Sequence, residues 1–202
     1  FKLVQWLSGG ALKTSGLSGR LADEIRIDEL TYQNQKTKLR ASGVKLIWRP
    51  RALIFGQLNV ETLEMSSLHI ASAADPTPAQ LPADLRLPVT VKVSHAALGR
   101  LSIFTLQNDG SELPILTLSA ITAQLDSSQL QHALKGELTS PWGRLQLQGQ
   151  IASAQPFALQ GTFNYHGQAN KAIPSLGVSG HFQGSLAQLS ISAKANTEAN
   201  GK

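Results

Sequence analysis

The feature that most constrains this chain is a spacing of apolar residues in steps of two, three and two. It occurs as Ile25, Ile27, Leu30, Tyr32 and again, thirty-three residues on, as Leu58, Val60, Leu63, Met65. Side chains of a β-strand alternate between faces, so a step of two keeps one face and a step of three would lose it. One extra bulged residue restores the original face, and a strand with a mid-strand bulge therefore accounts for the spacing. A helix fits the pattern less well. Between the two copies Leu39, Ala41, Val44, Leu46 and Trp48 follow the same rule and stop at Arg49-Pro50, where proline has no amide to donate to a ladder. Long antiparallel strands arranged as a meander are the expectation.

The rest of the chain extends this reading. Ala71 to Leu85, rich in Ala and Pro, reads as an irregular linker between strand-like stretches. Beyond it Leu87, Val89, Val91 and Val93 alternate. Leu101 and Ile103 follow, and after the turn at Asn108-Asp109-Gly110 the two-three-two spacing returns in Leu116, Leu118, Ile121, Ala123 and Leu125. From Gln129 onward an apolar-x-Gly-x-apolar theme takes over, as in Leu147/Gly149/Ile151 and Leu159/Gly161/Phe163. Ten of the 17 glycines have hydrophobic residues at both i−2 and i+2, against about three for an independent arrangement. Glycine is thus used inside strands. It is expected on the face opposite the apolar one, where it would let a sheet curve strongly. The organisation read from these signals is a short N-terminal helix with the first strands in residues 1–70, the linker in 71–85, and further strands in 86–202.

Composition narrows the function classes. The chain has 202 residues, 42% hydrophobic and 15% charged, which is ordinary for a folded protein. Its aromatic content is low and its apolar surface is chiefly Leu, Ile, Val and Ala, suited to smooth aliphatic faces. The absence of Cys excludes disulfides and thiolate chemistry. The net charge of +5 invites a nucleic-acid reading. However, the one concentration of basic residues, Lys36, Lys38, Arg40, Lys45, Arg49 and Arg51, lies beside no glycine-rich or aromatic RNA-binding motif, so no nucleic-acid partner is expected. A solvated strand face is the plainer use of that run, with an anionic membrane surface as the alternative.

The sequence holds no recognisable catalytic or metal-binding constellation. His69, His95, His132, His166 and His181 have none of the HxH, HxxxH or HExxH spacings of a metal site. Asp23/Glu24, Asp28/Glu29, Glu61/Glu64 and Asp109/Glu112 could pair as glycosidase carboxylates, but they fall in polar phases or turns between apolar positions. Gly9-Gly10-Ala11-Leu12-Lys13 lacks phosphate-loop spacing, and no Gly-x-Ser-x-Gly elbow occurs. Neither catalysis nor a cofactor or metal is expected. Trp48 and Trp142 read as sheet or rim anchors.

Taken in order, the block Trp48-x-Pro50-x-x-Leu53-x-x-Gly56-x-Leu58-x-Val60, followed by Leu81-Pro82 and Leu87-Pro88, resembles the N-terminal periplasmic region of the TamB family, relatives of AsmA-type envelope proteins. The resemblance covers residues 1–105. It implies a mainly β protein whose long, curved, antiparallel sheet forms an open, taco-like groove with an apolar lining. It also implies a bacterial periplasmic location, anchored in the inner membrane through a segment upstream of Phe1. Such proteins are held to carry phospholipid between the membranes and, with a TamA-like outer-membrane barrel partner, to support assembly of outer-membrane proteins. Because the chain starts at Phe1 and ends in NTEANGK, it is expected to be a slice of a longer protein, with edge-to-edge self-association of the fragment.

The residues themselves agree with a conduit. An acyl chain exposes about 15 methylenes at roughly 0.8 kcal/mol each, on the order of 12 kcal/mol in water. A continuous apolar trough would remove most of that barrier. The expected lining is Ile25, Ile27, Tyr32, Leu58, Val60, Val89, Val91, Val93, Leu116 and Leu118, with phospholipid acyl chains as the ligand. The alternative is a β-rich adhesin or glycan-binding passenger-type module. If that were a parallel β-solenoid it would repeat at roughly 20 residues with stacked turns, a period absent here.

Overall fold

The computed structural model describes residues 12–34, 36–74, 82–107, 109–168 and 175–198. The helix expected in the first eight residues lies outside them. Among the described residues twelve strands form one sheet: β1 (Leu12–Ser15), β2 (Ser18–Arg20), β3 (Glu24–Gln33), β4 (Thr37–Arg49), β5 (Gln57–Ala73), β6 (Thr90–Leu106), β7 (Glu112–Ser127), β8 (Gln131–Ser140), β9 (Gly143–Ala152), β10 (Ala158–Gly167), β11 (Ser175–Ser185) and β12 (Leu189–Glu198). Their spatial order is β1-β3-β4 and so on to β12, with β2 also lying on β3, and the sheet is open. It is not a solenoid, because neighbours follow chain order and pair antiparallel with a single exception.

That exception departs from the expected meander. β5 and β6 run parallel, Leu58 beside Val91 and Ile70 beside Ile103. Parallel neighbours need a crossover of a dozen or more residues to return the chain, and sixteen residues separate Ala73 of β5 from Thr90 of β6. β5 itself continues to Ala73, past the expected start of the linker. Between β4 and β5 the chain turns through a 3-10 segment, Pro50–Phe55, closed by Gly56 in the left-handed region at φ 68°.

Register explains the two-three-two spacing. Consecutive ladders omit Asp28 and Gly43, then Ser66 and Gly99, then Ala120 and Leu138. The apolar steps of three fall across those positions, at Ile27 to Leu30, Ala41 to Val44, Met65 to Leu68, Leu98 to Leu101 and Leu118 to Ile121. The unpaired positions line up as one crease from β3 to β8, and the register holds across it except between β7 and β8, where it shifts at Ser119/Thr122. Gly43 (φ 59°) and Ala120 (φ 48°) adopt the left-handed conformation there. A Cβ on Gly43 would strike the Ser66 hydroxyl. The second copy of the sequence pattern uses a different irregularity, between Val60 and Leu63, matched in β6 between Val93 and Ala96. Ile25 accordingly stands level with Leu46 and Leu63 rather than with Leu58, so the copies are offset by five residues (63 − 58) along the sheet.

The glycines of the later strands are on the apolar face, not opposite it. A residue flanked by apolar neighbours two positions away on each side shares their face in an alternating strand. Gly161 stands directly between Gly149 and Phe182 on adjacent strands. A Cβ on Gly149 would lie 2.9 Å from the tip of the Phe182 ring, and one on Gly180 would lie 2.7 Å from that of Phe163. Glycine here makes room for aromatic rings from neighbouring strands.

Candidate apolar binding face

Cross-strand partners share a face, so the ladders can be read as rows. One row runs from β3 to β12 as Ile25, Leu46, Leu63, Ala96, Ala123, Gly136, Leu147, Phe163, Gly180 and Ala193. A second runs Trp48, Val60, Val93, Leu125, Leu134, Gly149, Gly161, Phe182 and Ile191. Toward the other end lies Tyr32, Leu39, Ile70, Ile103 and Leu116. Every position in these rows is apolar or glycine, whereas the alternate phase is largely Gln, Ser, Thr, Lys, Arg and Glu.

Of the expected site residues, Ile25, Ile27, Tyr32, Leu58, Val60, Val91, Val93, Leu116 and Leu118 all stand on this phase and are half-buried or buried. They do not form one compact set. Leu58, Val60, Val91 and Val93 meet across the β5/β6 ladder, Tyr32 and Leu116 lie in the row toward the opposite end, and Ile25 and Ile27 lie between. Val89 stands in the bend before β6 rather than in the sheet. Buried apolar residues are few among those described: Ile27, Ala41, Val60, Ala71 and Phe157. That is the signature of a single layer, since a sheet face buries its side chains fully only against a second layer.

One end of the apolar phase is covered by its own chain. Leu85, in the crossover, donates its amide to the Ser153 carbonyl (2.9 Å), and its carbonyl accepts from His132 Nε2 (2.8 Å). The other ring nitrogen, Nδ1, bonds the Ser127 hydroxyl. Ser127, Ser153 and Phe157 are completely or almost completely buried at this corner. The sequence gives no signal of this anchor, because two of the three partners of His132, the Leu85 carbonyl and the Ser153 hydroxyl, lie 47 and 21 residues away.

The polar phase carries the charges. Four of the six clustered cations are paired across strands: Lys38 with Glu112, Arg40 with Glu29, Lys45 with Glu64 and Arg49 with Glu61. This pairing removes the basic patch that the linear sequence suggests. Glu112 also meets His69 Nε2 at 2.8 Å, and the His69 ring stacks on Phe104 with centroids 4.4 Å apart. Burial pushes the Glu112 carboxyl up, but the hydrogen bonds from His69 and Lys38 outweigh it and hold the group below the usual carboxylate range. Asp109 is also lowered, by the Ser111 side-chain and backbone hydrogen bonds in its turn. An open depression of about 920 Å³ crosses β6 to β11 on this phase, between a row including Lys92, Gln150 and Gln160 and a row including Gln124, Lys135 and Gln148. A second, of about 420 Å³, adjoins it around His95, Glu137 and Asn164.

Trp48 donates its indole N–H to the Leu21 carbonyl (3.1 Å), tying the turn before β3 to the end of β4. Trp142 sits in the β8–β9 turn, its carbonyl accepting from the Tyr165 hydroxyl (2.6 Å). Among the described residues no group of three or more His, Asp or Glu side chains is placed to hold a metal ion, and no helix is long and apolar enough to cross a membrane. The chain matches no known protein family, no curated protein and no solved structure.

Proposed function

We propose that this chain is a lipid-carrying segment of a TamB-like envelope protein, in which the apolar phase of the sheet forms the lining of a groove for phospholipid acyl chains between inner and outer membrane. The observation that carries this reading is the set of apolar and glycine rows, one of them running from β3 to β12, with no second layer over them among the described residues except the crossover at one corner. An apolar face of that extent on a folded protein calls for an apolar occupant. Acyl chains suit it because the rows are apolar and continuous rather than a single shaped pocket. On this reading the protein works without chemistry: the face supplies a path along which methylenes exchange protein contacts for protein contacts, and the head group stays in solvent. Its setting would be the periplasm, with inner-membrane anchorage and a TamA-like partner supplied by regions outside this segment.

The test is photo-crosslinking. With a crosslinker at Ile27, Val60, Val93 or Leu118, phospholipid is captured; at Arg26, Asn59, Lys92 or Thr117, on the alternate phase of the same strands, it is not. Equal capture from both phases, or from neither, overturns the proposal.

The large depression on the polar phase favours a second reading, a glycan-binding module, since amide side chains match the paired hydroxyls of sugars. On that reading soluble oligosaccharides perturb the side-chain amide resonances of Gln148 and Gln160, and the apolar-phase methyl groups stay unchanged.

A further inference from the structure

Antiparallel register brings a particular set of connections to one end of the sheet. Glu24 of β3 pairs with Ile47 of β4, Gln57 of β5 with Thr90 of β6, Val91 with Ser127 of β7, Gln131 of β8 with Ala152 of β9, and Ala158 of β10 with Ser185 of β11. The turn before β3, the 3-10 segment, the approach to β6 and the β7–β8, β9–β10 and β11–β12 turns therefore share that end. Large apolar side chains stand out from the tips of several of them. Leu21 is 71% exposed, Ile54 81%, Phe55 80% and Leu130 82%, with Leu53, Leu87 and Leu186 also exposed. At the other end the turns present Asn34 and Lys36, Asp109 to Ser111, and Pro141-Trp142; Trp142 (65%) is the large exposed apolar side chain in those described turns, and Leu113 (55%), Ile115 (62%) and Leu176 (38%) are exposed within the adjoining strands.

We infer that the Pro50–Phe55 end of the sheet docks into the interface of a lipid bilayer. The exposed side chains are separate fingers on successive turns, spaced by strands about 4.8 Å apart, and they make no contiguous patch for a protein partner to cover. Burial in an acyl and headgroup boundary needs no matched surface, and amphipathic elements inserted there go roughly 5–10 Å deep. Charge agrees with an anionic surface. Arg51 lies in the same short segment as Ile54 and Phe55, is exposed, and has no carboxylate within ion-pair distance among the described residues. A guanidinium there can meet a lipid phosphate through paired hydrogen bonds. The backbone is held ready for insertion, because Gly56 N–H closes the 3-10 segment on the Leu53 carbonyl (3.0 Å) and the Gly56 carbonyl accepts from Thr90 N–H (2.9 Å). This inference does not depend on what occupies the apolar face.

The natural chain has no cysteine, so single cysteines can carry an environment-sensitive fluorophore at Phe55, Leu130 or Trp142. With vesicles of phosphatidylethanolamine and phosphatidylglycerol, labels at Phe55 and Leu130 should shift to the blue and be quenched by nitroxide-bearing lipid, and the label at Trp142 should not. The double substitution Ile54→Ser/Phe55→Ser should weaken vesicle cosedimentation about 100-fold. Arg51→Gln should weaken it several-fold on anionic vesicles and less on phosphatidylcholine, whose phosphate can still meet the guanidinium but which carries no net negative charge. These tips are solvent-exposed, so an unchanged far-ultraviolet circular dichroism spectrum verifies that the sheet is intact. Lipid capture at Val60 and Val93 should survive the double substitution, which separates this site from the apolar face. Equal quenching at both ends, vesicle binding indifferent to Ile54→Ser/Phe55→Ser, or no binding at all would overturn the inference.

Discussion

Glu112 is the residue whose charge matters most to its surroundings. It receives Lys38 from β4 and His69 from β5 while sitting at the start of β7, so it joins three strands at the end opposite Phe55. Its carboxyl is held below the ordinary range in the folded state. A depressed pKa means that the group's contribution is present above the unfolded carboxylate pKa and is lost as pH falls through the folded value. Glu112→Gln should therefore lower stability near neutral pH by no more than about 1 kcal/mol, since the partners are partly solvated. The gap from the natural protein should narrow from neutral to acid pH, as Glu112 takes up its proton. Urea midpoints at the two pH values measure it. An undiminished gap at acid pH would show that the loss is steric.

At the scale of the strand, glycine and phenylalanine act as a pair. β9 to β11 pack as a single layer, and rings at Phe163 and Phe182 gain contact by lying over Gly180 and over Gly149 and Gly161 on adjoining strands. Aromatic side chains covering strand glycines is a known means of stabilising a sheet. A methyl group at Gly161 would come within 2.7 Å of the Gly149 Cα and would also strike the Gln148 carbonyl and the Phe182 ring. Because the obstacle is partly backbone, Gly161→Ala should cost about 1–3 kcal/mol. At Gly177 the nearest atom is 3.6 Å away, so Gly177→Ala should be neutral or gain up to about 1 kcal/mol from lower chain entropy. Thermal unfolding of the two variants side by side tests whether the glycines serve packing or only bending.

Among the described residues the sheet is open and has two unlike edges. On one side β3 is covered by β1 of 4 residues and β2 of 3, broken by Gly16 and Gly19 at positive φ. Short, interrupted strands are how sheets blunt an edge. On the other side β12 runs 10 residues in unbroken register with β11, without proline, and with Ile191 62% exposed. The edge-to-edge association expected from the sequence should therefore use β12 and close as a dimer instead of growing. Light scattering should give a species of two chains, and Ala193→Pro should return it to a monomer. A concentration-dependent ladder of higher oligomers would show that both edges pair.

The apolar spacing determined much of this architecture by itself. Period two with one inserted residue states that a strand is half-covered and where it bulges, and both are local properties of the backbone. The mainly β, open sheet and the phase of Ile25, Val60, Val93 and Leu118 were legible for that reason. The side on which the glycines lie was also legible, since alternation puts Gly161 with Leu159 and Phe163, but the expectation of curvature displaced the arithmetic. Tertiary structure alone decided the rest. The parallel β5/β6 pair depends on where the crossover lands, which is fixed by Leu85 meeting His132 and Ser153 far along the chain. The offset of the two repeats, the pairing of Lys38 and His69 on Glu112, and the gathering of Leu21, Phe55 and Leu130 at one end each depend on register between strands. Register is set by contacts distant in sequence, and no local pattern carries them.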